Sequence, residues 1–143
     1  MRTIKRLLIL FCLLLASAGS AWAEIVVVVD AKSGVEQLSQ DDVINIFLGR
    51  HRKLPTGIAA VPVDLQAGSR LYADFYRKLV DKTPSEISAY WSRLYFSGKT
   101  RPPVQMASPA DAVSHVLGTP GGIGYIERQQ LDPRLRVVLS FSP

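Results

Sequence analysis

The residues best suited to chemistry in this chain lie within Val61-Pro-Val-Asp-Leu-Gln-Ala-Gly-Ser-Arg70. A short apolar strand there runs into a glycine turn, and Ser69 opens an amphipathic helix that continues through Val80. A serine at a helix start leaves backbone N–H groups without helical acceptors, pointing outward at the positive end of the helix dipole. Such a turn can seat a small anion. Gly68, Ser69 and Arg70 form the candidate seat, with Gln66 and Asp64 beside it. The plain alternative is a helix cap that binds nothing.

Other chemistries find little support. Cys12 is the one cysteine and lies in a hydrophobic leader, so residues 24–143 hold no thiol for a disulfide, a metal site or nucleophilic attack. His51 and His115 are the two histidines, and neither has a carboxylate at a ligand-like spacing. No histidine lies beside the candidate Ser69 in sequence and no carboxylates show the spacing of a catalytic pair, so catalysis is not expected. Gly98-Lys-Thr100 resembles the end of a nucleotide-binding loop, but the position for its first glycine is Arg93. No cofactor is implied.

Residues 1–23 read as a secretory signal peptide. Arg2, Lys5 and Arg6 form a basic start, Leu7 to Ala16 is apolar, and Ala21-Trp-Ala23 fits a cleavage site. The apolar core is too short for a membrane span, which needs about 20 residues. Removing the leader leaves residues 24–143, one domain long enough to build a hydrophobic core. With those three charges gone, 17 Lys and Arg fall to 14 against 12 Asp and Glu, and the balance falls from +5 to +2. The signs alternate along the chain without a basic run, so neither nucleic acid nor stable membrane insertion is expected, and the periplasm is the expected compartment.

The elements that must hold the turn are readable from their ends. Glu24 to Asp30 is a β-branched run suited to a strand buried on both faces. Ser39 can cap a helix that Gly49 stops, with Asp41 and Asp42 in its first turn. Arg50-His-Arg-Lys53 follows as a cationic loop beside that helix end. Ile58 to Val63 reads as the second strand, with Pro62 placing it at a strand end or an edge. Thr83-Pro84 starts a helix carrying Ile87, Tyr90, Trp91, Leu94 and Tyr95, an aromatic stripe read as core packing. Val104 to Met106 is a short extended piece, and Ser108-Pro109 caps a helix ending at Gly118. Gly121, Gly122 and Gly124 permit close backbone approach, to another element or to a ligand, before a strand through Ile126. Leu135 to Phe141 is the last strand. The order β-α-β-α-α-β-α-β-β predicts an α/β protein, a three-layer sandwich with a mixed sheet.

Leu38-Ser-Gln-Asp-Asp-Val-Ile-Asn-Ile-Phe-Leu-Gly49, Gly68-Ser69 with Phe75, Tyr90-Trp91, Phe96-Ser-Gly98 and Gly121-Gly-Ile-Gly-Tyr125 occur in that order. Together they resemble the PstS-like phosphate-binding proteins of ABC importers, a branch of the type 2 periplasmic-binding protein superfamily. The resemblance implies a fold like one lobe of those two-lobed proteins, no catalysis, and a phosphate-like oxyanion held by amides and hydroxyls at helix starts. It also implies an ABC permease or another envelope protein as partner. Gly68 and Ser69 match the family's Ser-Gly-Thr turn, while Ala67 lacks its first hydroxyl and Asp64 lies where an arginine is expected. Arg70 is the candidate substitute. With no residues for a second lobe between Asp30 and the helix at Leu38, the seat is open to water and weak binding is expected. The alternative function is an envelope interaction module, with Arg50 to Lys53 and the glycine-rich turn as contacts.

Overall fold

The computed structural model describes residues 23–98 and 100–142. The leader reading falls on residues that lie, but for Ala23, outside this range. The β-branched run becomes β1 (Ile25–Asp30), with its first five residues buried. The chain continues through α1 (Gln40–Phe47), β2 (Val61–Leu65), α2 (Arg70–Val80) and α3 (Pro84–Tyr95). It then passes through β3 (Val104–Met106), α4 (Pro109–Gly118), β4 (Gly122–Glu127), a single 3-10 turn at Arg128–Gln130 and β5 (Leu135–Phe141). The five strands form one sheet in the order β3-β2-β4-β1-β5. β2 runs parallel to β3 and β4, while β1 runs antiparallel to β4 and β5, so the sheet is mixed.

Side-chain alternation assigns the two faces. Tyr125 of β4 stacks on Phe75 of α2 with ring centroids 3.7 Å apart and tilts against Phe47 of α1. The opposite face of β4 offers Gly122 and Gly124 to Val116 of α4. Helices therefore cover both faces, and the expected three-layer α/β arrangement is observed. β1 is buried on both sides because each face lies under a helical layer.

The helix starts are set by local side chains. Ser39 accepts from the Asp42 N–H at 3.1 Å while Asp42 accepts from the Ser39 N–H at 2.9 Å. Thr83 and Glu86 repeat that exchange at α3, and Ser108 accepts from the Asp111 N–H at α4. Each satisfies donors that the helix itself cannot.

Three expectations change. The second strand begins at Val61 rather than Ile58 and extends to Leu65. Residues Ile58 to Ala60 turn back on Arg52 to Leu54 instead, through Leu54 N–H to Ile58 O and Ala60 N–H to Arg52 O. Pro62 sits before the pairing of β2 with β3 begins at Val63–Val104, so its missing donor costs the sheet nothing. The aromatic stripe of α3 is not core throughout. Ile87 is buried and Tyr90 and Trp91 are half-buried, but Tyr95 is 74% and Phe96 89% exposed. Finally, the glycines of β4 serve close packing against protein. Gly121, Gly122 and Gly124 are buried, while Pro120 at the head of the same turn is exposed.

Candidate anion-binding site

β2 and β3 lie side by side and parallel, and their following helices leave to opposite faces of the sheet. α2 packs on the Tyr125 face, and α4 packs on the Gly124 face. Open α/β sheets place a crevice at such a point, outside the carboxyl ends of the two strands. The Gln66–Ser69 turn and the Ala107–Ser108 turn both open there.

The Gln66–Ser69 turn closes through Ser69 N–H to Gln66 O at 2.9 Å. Ser69 has extended backbone and its Oγ accepts from the Tyr72 N–H at 3.1 Å. The hydroxyl is thus committed as an acceptor to the helix, and its proton remains the group that could meet a ligand. The N–H groups of Arg70 and Leu71 precede the first possible helical acceptor and point outward. Gln66, Ala67 and Gly68 are exposed. Arg70 is also exposed, and pairs with Asp74 one turn along at 3.6 Å. That surface pair is worth well under 1 kcal/mol, so the guanidinium can swing to an anion at little cost. Gly68 is free of steric demand, since a Cβ there would meet nothing within 4 Å and its φ is not positive.

Asp64 does not present a carboxylate to this turn. It is 3% exposed, and its side chain lies on the face covered by α2. Oδ2 accepts from the Tyr76 hydroxyl at 2.6 Å, and Oδ1 accepts from the Tyr125 hydroxyl and from the Leu65 N–H. The Leu65 N–H also reaches the Tyr125 oxygen at 3.2 Å. Burial pushes the Asp64 carboxyl up to about 6, against the opposing pull of hydrogen bonds from Tyr125, Tyr76 and Leu65. Burial also raises the Tyr76 and Tyr125 hydroxyls well above their ordinary range, and the Asp64 charge adds to this. Tyr72 is pushed up to about 12 by the same two causes.

Of the five residues read from the sequence, Gln66, Gly68, Ser69 and Arg70 share the exposed turn, and Asp64 lies beneath it in the core. Sequence reasoning treated Ser108 only as a helix cap. The signal present in the sequence was a serine cap, Ser108-Pro109, directly after the Val104 to Met106 extended piece. Arg52 lies by the start of β2, where its carbonyl accepts from the Ala60 N–H, and not at the carboxyl end where the crevice opens. Among the described residues, no group of three His, Cys, Asp or Glu side chains is placed to hold a metal ion. No described helix is long and apolar enough to cross a membrane.

No protein-family model matches this sequence, and no curated protein matches it. Solved structures do. One is a protein assigned as a phosphate ABC transporter substrate-binding protein from Clostridium perfringens, determined with bound phosphate. It matches with a TM-score of 0.64 and 17% identity, over 81% of this chain and 45% of its own. Another is an ABC-type phosphate transport receptor from Vibrio cholerae, with a TM-score of 0.63 and 13% identity, over 81% of this chain and 46% of its own. The chain therefore spans a little under half the length of these proteins. At this identity the likeness is one of fold, and the fold is that of one lobe of a phosphate-transport binding protein.

Proposed function

We propose that this chain is an exported, non-catalytic periplasmic binding protein of the PstS-like kind, which seats phosphate or another small oxyanion weakly at the Gly68–Ser69 start of α2. The observation that carries the reading is the serine-capped helix start at the strand-end crevice, on a fold shared with phosphate-transport proteins. The Arg70 and Leu71 N–H groups, the Ser69 proton and the Arg70 guanidinium supply donors, and Gln66 and Ser108 border them. No proton or covalent transfer is required of them. An ABC permease is the partner this reading implies.

The turn is open to water, so each hydrogen bond to the anion replaces one to solvent and gains little. Millimolar affinity follows. Calorimetry of phosphate and sulfate against the protein tests it. Ser69→Asp keeps the helix cap, because aspartate caps as well as serine, but places a negative charge in the seat. We expect unchanged thermal stability and complete loss of anion heat. A variant that still takes up sulfate sinks the proposal.

Asp64 adds a pH dependence. Its ionised carboxylate lies behind the turn and opposes an anion, so affinity should rise as pH falls through about 6 and Asp64 becomes neutral. Sulfate remains a dianion across this window and is the cleaner probe. Its affinity should rise about two- to fourfold between pH 7.5 and pH 5, and Asp64→Asn should abolish the change.

A second reading, an envelope interaction module, is favoured by one observation. Tyr95, Phe96 and Val104 are large exposed apolar residues, and β3 is a free edge of the sheet. Sedimentation and pull-down from envelope extract discriminate. Loss of a partner in Phe96→Ser, with sulfate heat absent from the native protein, would favour this reading over the first.

A further inference from the structure

α1 and α3 both pack on α2 and leave a groove between them, on the side of the Arg50–Lys53 loop. Its volume is about 730 Å³. The floor is apolar, from Ile44, Leu48, Val80, Ile87 and Tyr90. Two hydrogen bonds fix its walls. The Tyr90 hydroxyl donates to the Leu48 carbonyl at 2.7 Å, tying α3 to the end of α1. Gln40 Nε2 donates to the Leu79 carbonyl at 2.9 Å, tying α1 to the end of α2. The cavity is therefore preformed and lies within the size range of small-molecule sites.

The rim is charged and unbalanced. Lys82 pairs with Glu86 at 3.6 Å, which leaves this pair near neutral. Arg50 and Arg93 line the same groove, and neither has an ion-pair partner among the described residues. An apolar floor with two uncompensated guanidinium groups at its edge selects a molecule with an apolar body and an anionic head. Arginine forks suit a carboxylate, which they can hold through two parallel hydrogen bonds.

We propose that this groove binds an anionic amphiphile, a single aliphatic chain with a carboxylate head, independently of the Ser69 turn. A free chain fits better than a bilayer surface or a protein helix. The large exposed apolar residues Ile58, Tyr95, Phe96, Val104 and Leu131 are not among those lining the groove, whose margins carry Arg50, Lys82, Glu86, Ser92 and Arg93. A bilayer surface or a docked helix buries a wider apolar area than these five floor residues supply, whereas a single chain needs only the floor.

The test is a titration of the ¹⁵N-labelled protein, followed by NMR, with dodecanoate, dodecyltrimethylammonium and acetate below their micelle concentrations. Dodecanoate should shift the amides of Ile44, Leu48, Ile87 and Tyr90 with at least tenfold higher affinity than the cationic chain, and acetate should shift none. Arg50→Ala with Arg93→Ala should bring the two long chains to equal affinity, with the melting temperature retained because both side chains are exposed. Ala89→Leu, which narrows the groove, should weaken both. Equal affinity for the two chains in the native protein overturns the proposal. So do shifts confined to Ser69 and its neighbours, or binding to anionic vesicles without binding to free dodecanoate.

Discussion

Gly121→Ala is expected to cost about 4 kcal/mol, lowering the melting temperature by about 16 °C. Gly121 has φ of +79°, and a Cβ built on it would lie 1.9 Å from the Ala59 carbonyl oxygen and 3.1 Å from the Ala59 carbonyl carbon. The left-handed conformation alone costs an alanine about 1 kcal/mol. The contact is the larger effect, because a backbone carbonyl cannot rotate aside as a side chain would. Relieving it means moving residues 58–60 or the start of β4. The second movement breaks the Val61 N–H to Gly121 O bond at 2.9 Å and disturbs the pairing of Val61 with Gly122 that sets β2 against β4. Gly57 is the control. It has φ of +87° but nothing within 4 Å of an added Cβ, so Gly57→Ala should cost only the conformational part, about 1 kcal/mol. Gly68→Ala, with neither positive φ nor a neighbour, should change stability by less than about 0.5 kcal/mol. Urea denaturation of the three variants measures the series. Equal losses at Gly57 and Gly121 would show that the Ala59 contact relaxes without cost.

That series also marks where the sequence was legible. Helix starts could be read because a cap acts over three residues: Ser39 with Asp42, Thr83 with Glu86 and Ser69 with Tyr72 all meet within one turn. β1 could be read because five adjacent β-branched or aliphatic residues suit one environment, a strand between two layers. Gly121, Gly122 and Gly124 were readable as a need for closeness but not as to what comes close, since Ala59 and Val116 reach them through tertiary packing. The stripe on α3 failed in the same way. Periodicity showed which residues share a side, but not that Tyr95 and Phe96 at the helix end are left uncovered. Nearness in sequence placed Asp64 beside the glycine turn. Its side of β2 is covered by α2, and the two hydroxyls that satisfy the carboxylate lie 12 and 61 residues away.

Asp64→Ala should destabilise the protein by about 3 kcal/mol at pH 7, while Asp64→Asn should be within about 1 kcal/mol of the native chain. Alanine leaves the Tyr76 and Tyr125 hydroxyls without their acceptor, and these residues are 0% and 1% exposed. Asparagine keeps one acceptor oxygen and removes a desolvated charge, so loss and gain nearly offset. The pH profile separates these contributions. The folded carboxyl titrates near 6, against 3.8 as its ordinary value. A raised carboxyl binds its proton more tightly in the folded chain, so its stabilisation is fully present below about 3.8 and is lost as pH rises through 6. The change amounts to about 3 kcal/mol across the window. Glu24, Asp42, Glu86 and Asp132 are all held below their ordinary range by hydrogen bonds, to Arg128, Ser39, Thr83 and Arg134 respectively, and act in the opposite direction as pH falls further. The informative quantity is therefore the difference between native and Asp64→Asn stability, measured by urea denaturation from pH 4 to pH 7.5. That difference should favour the native chain increasingly toward pH 4 and flatten above pH 6.5. A difference that does not vary with pH would mean that Asp64 titrates as an ordinary carboxylate, and the pH dependence expected for sulfate at the Ser69 turn would fall with it.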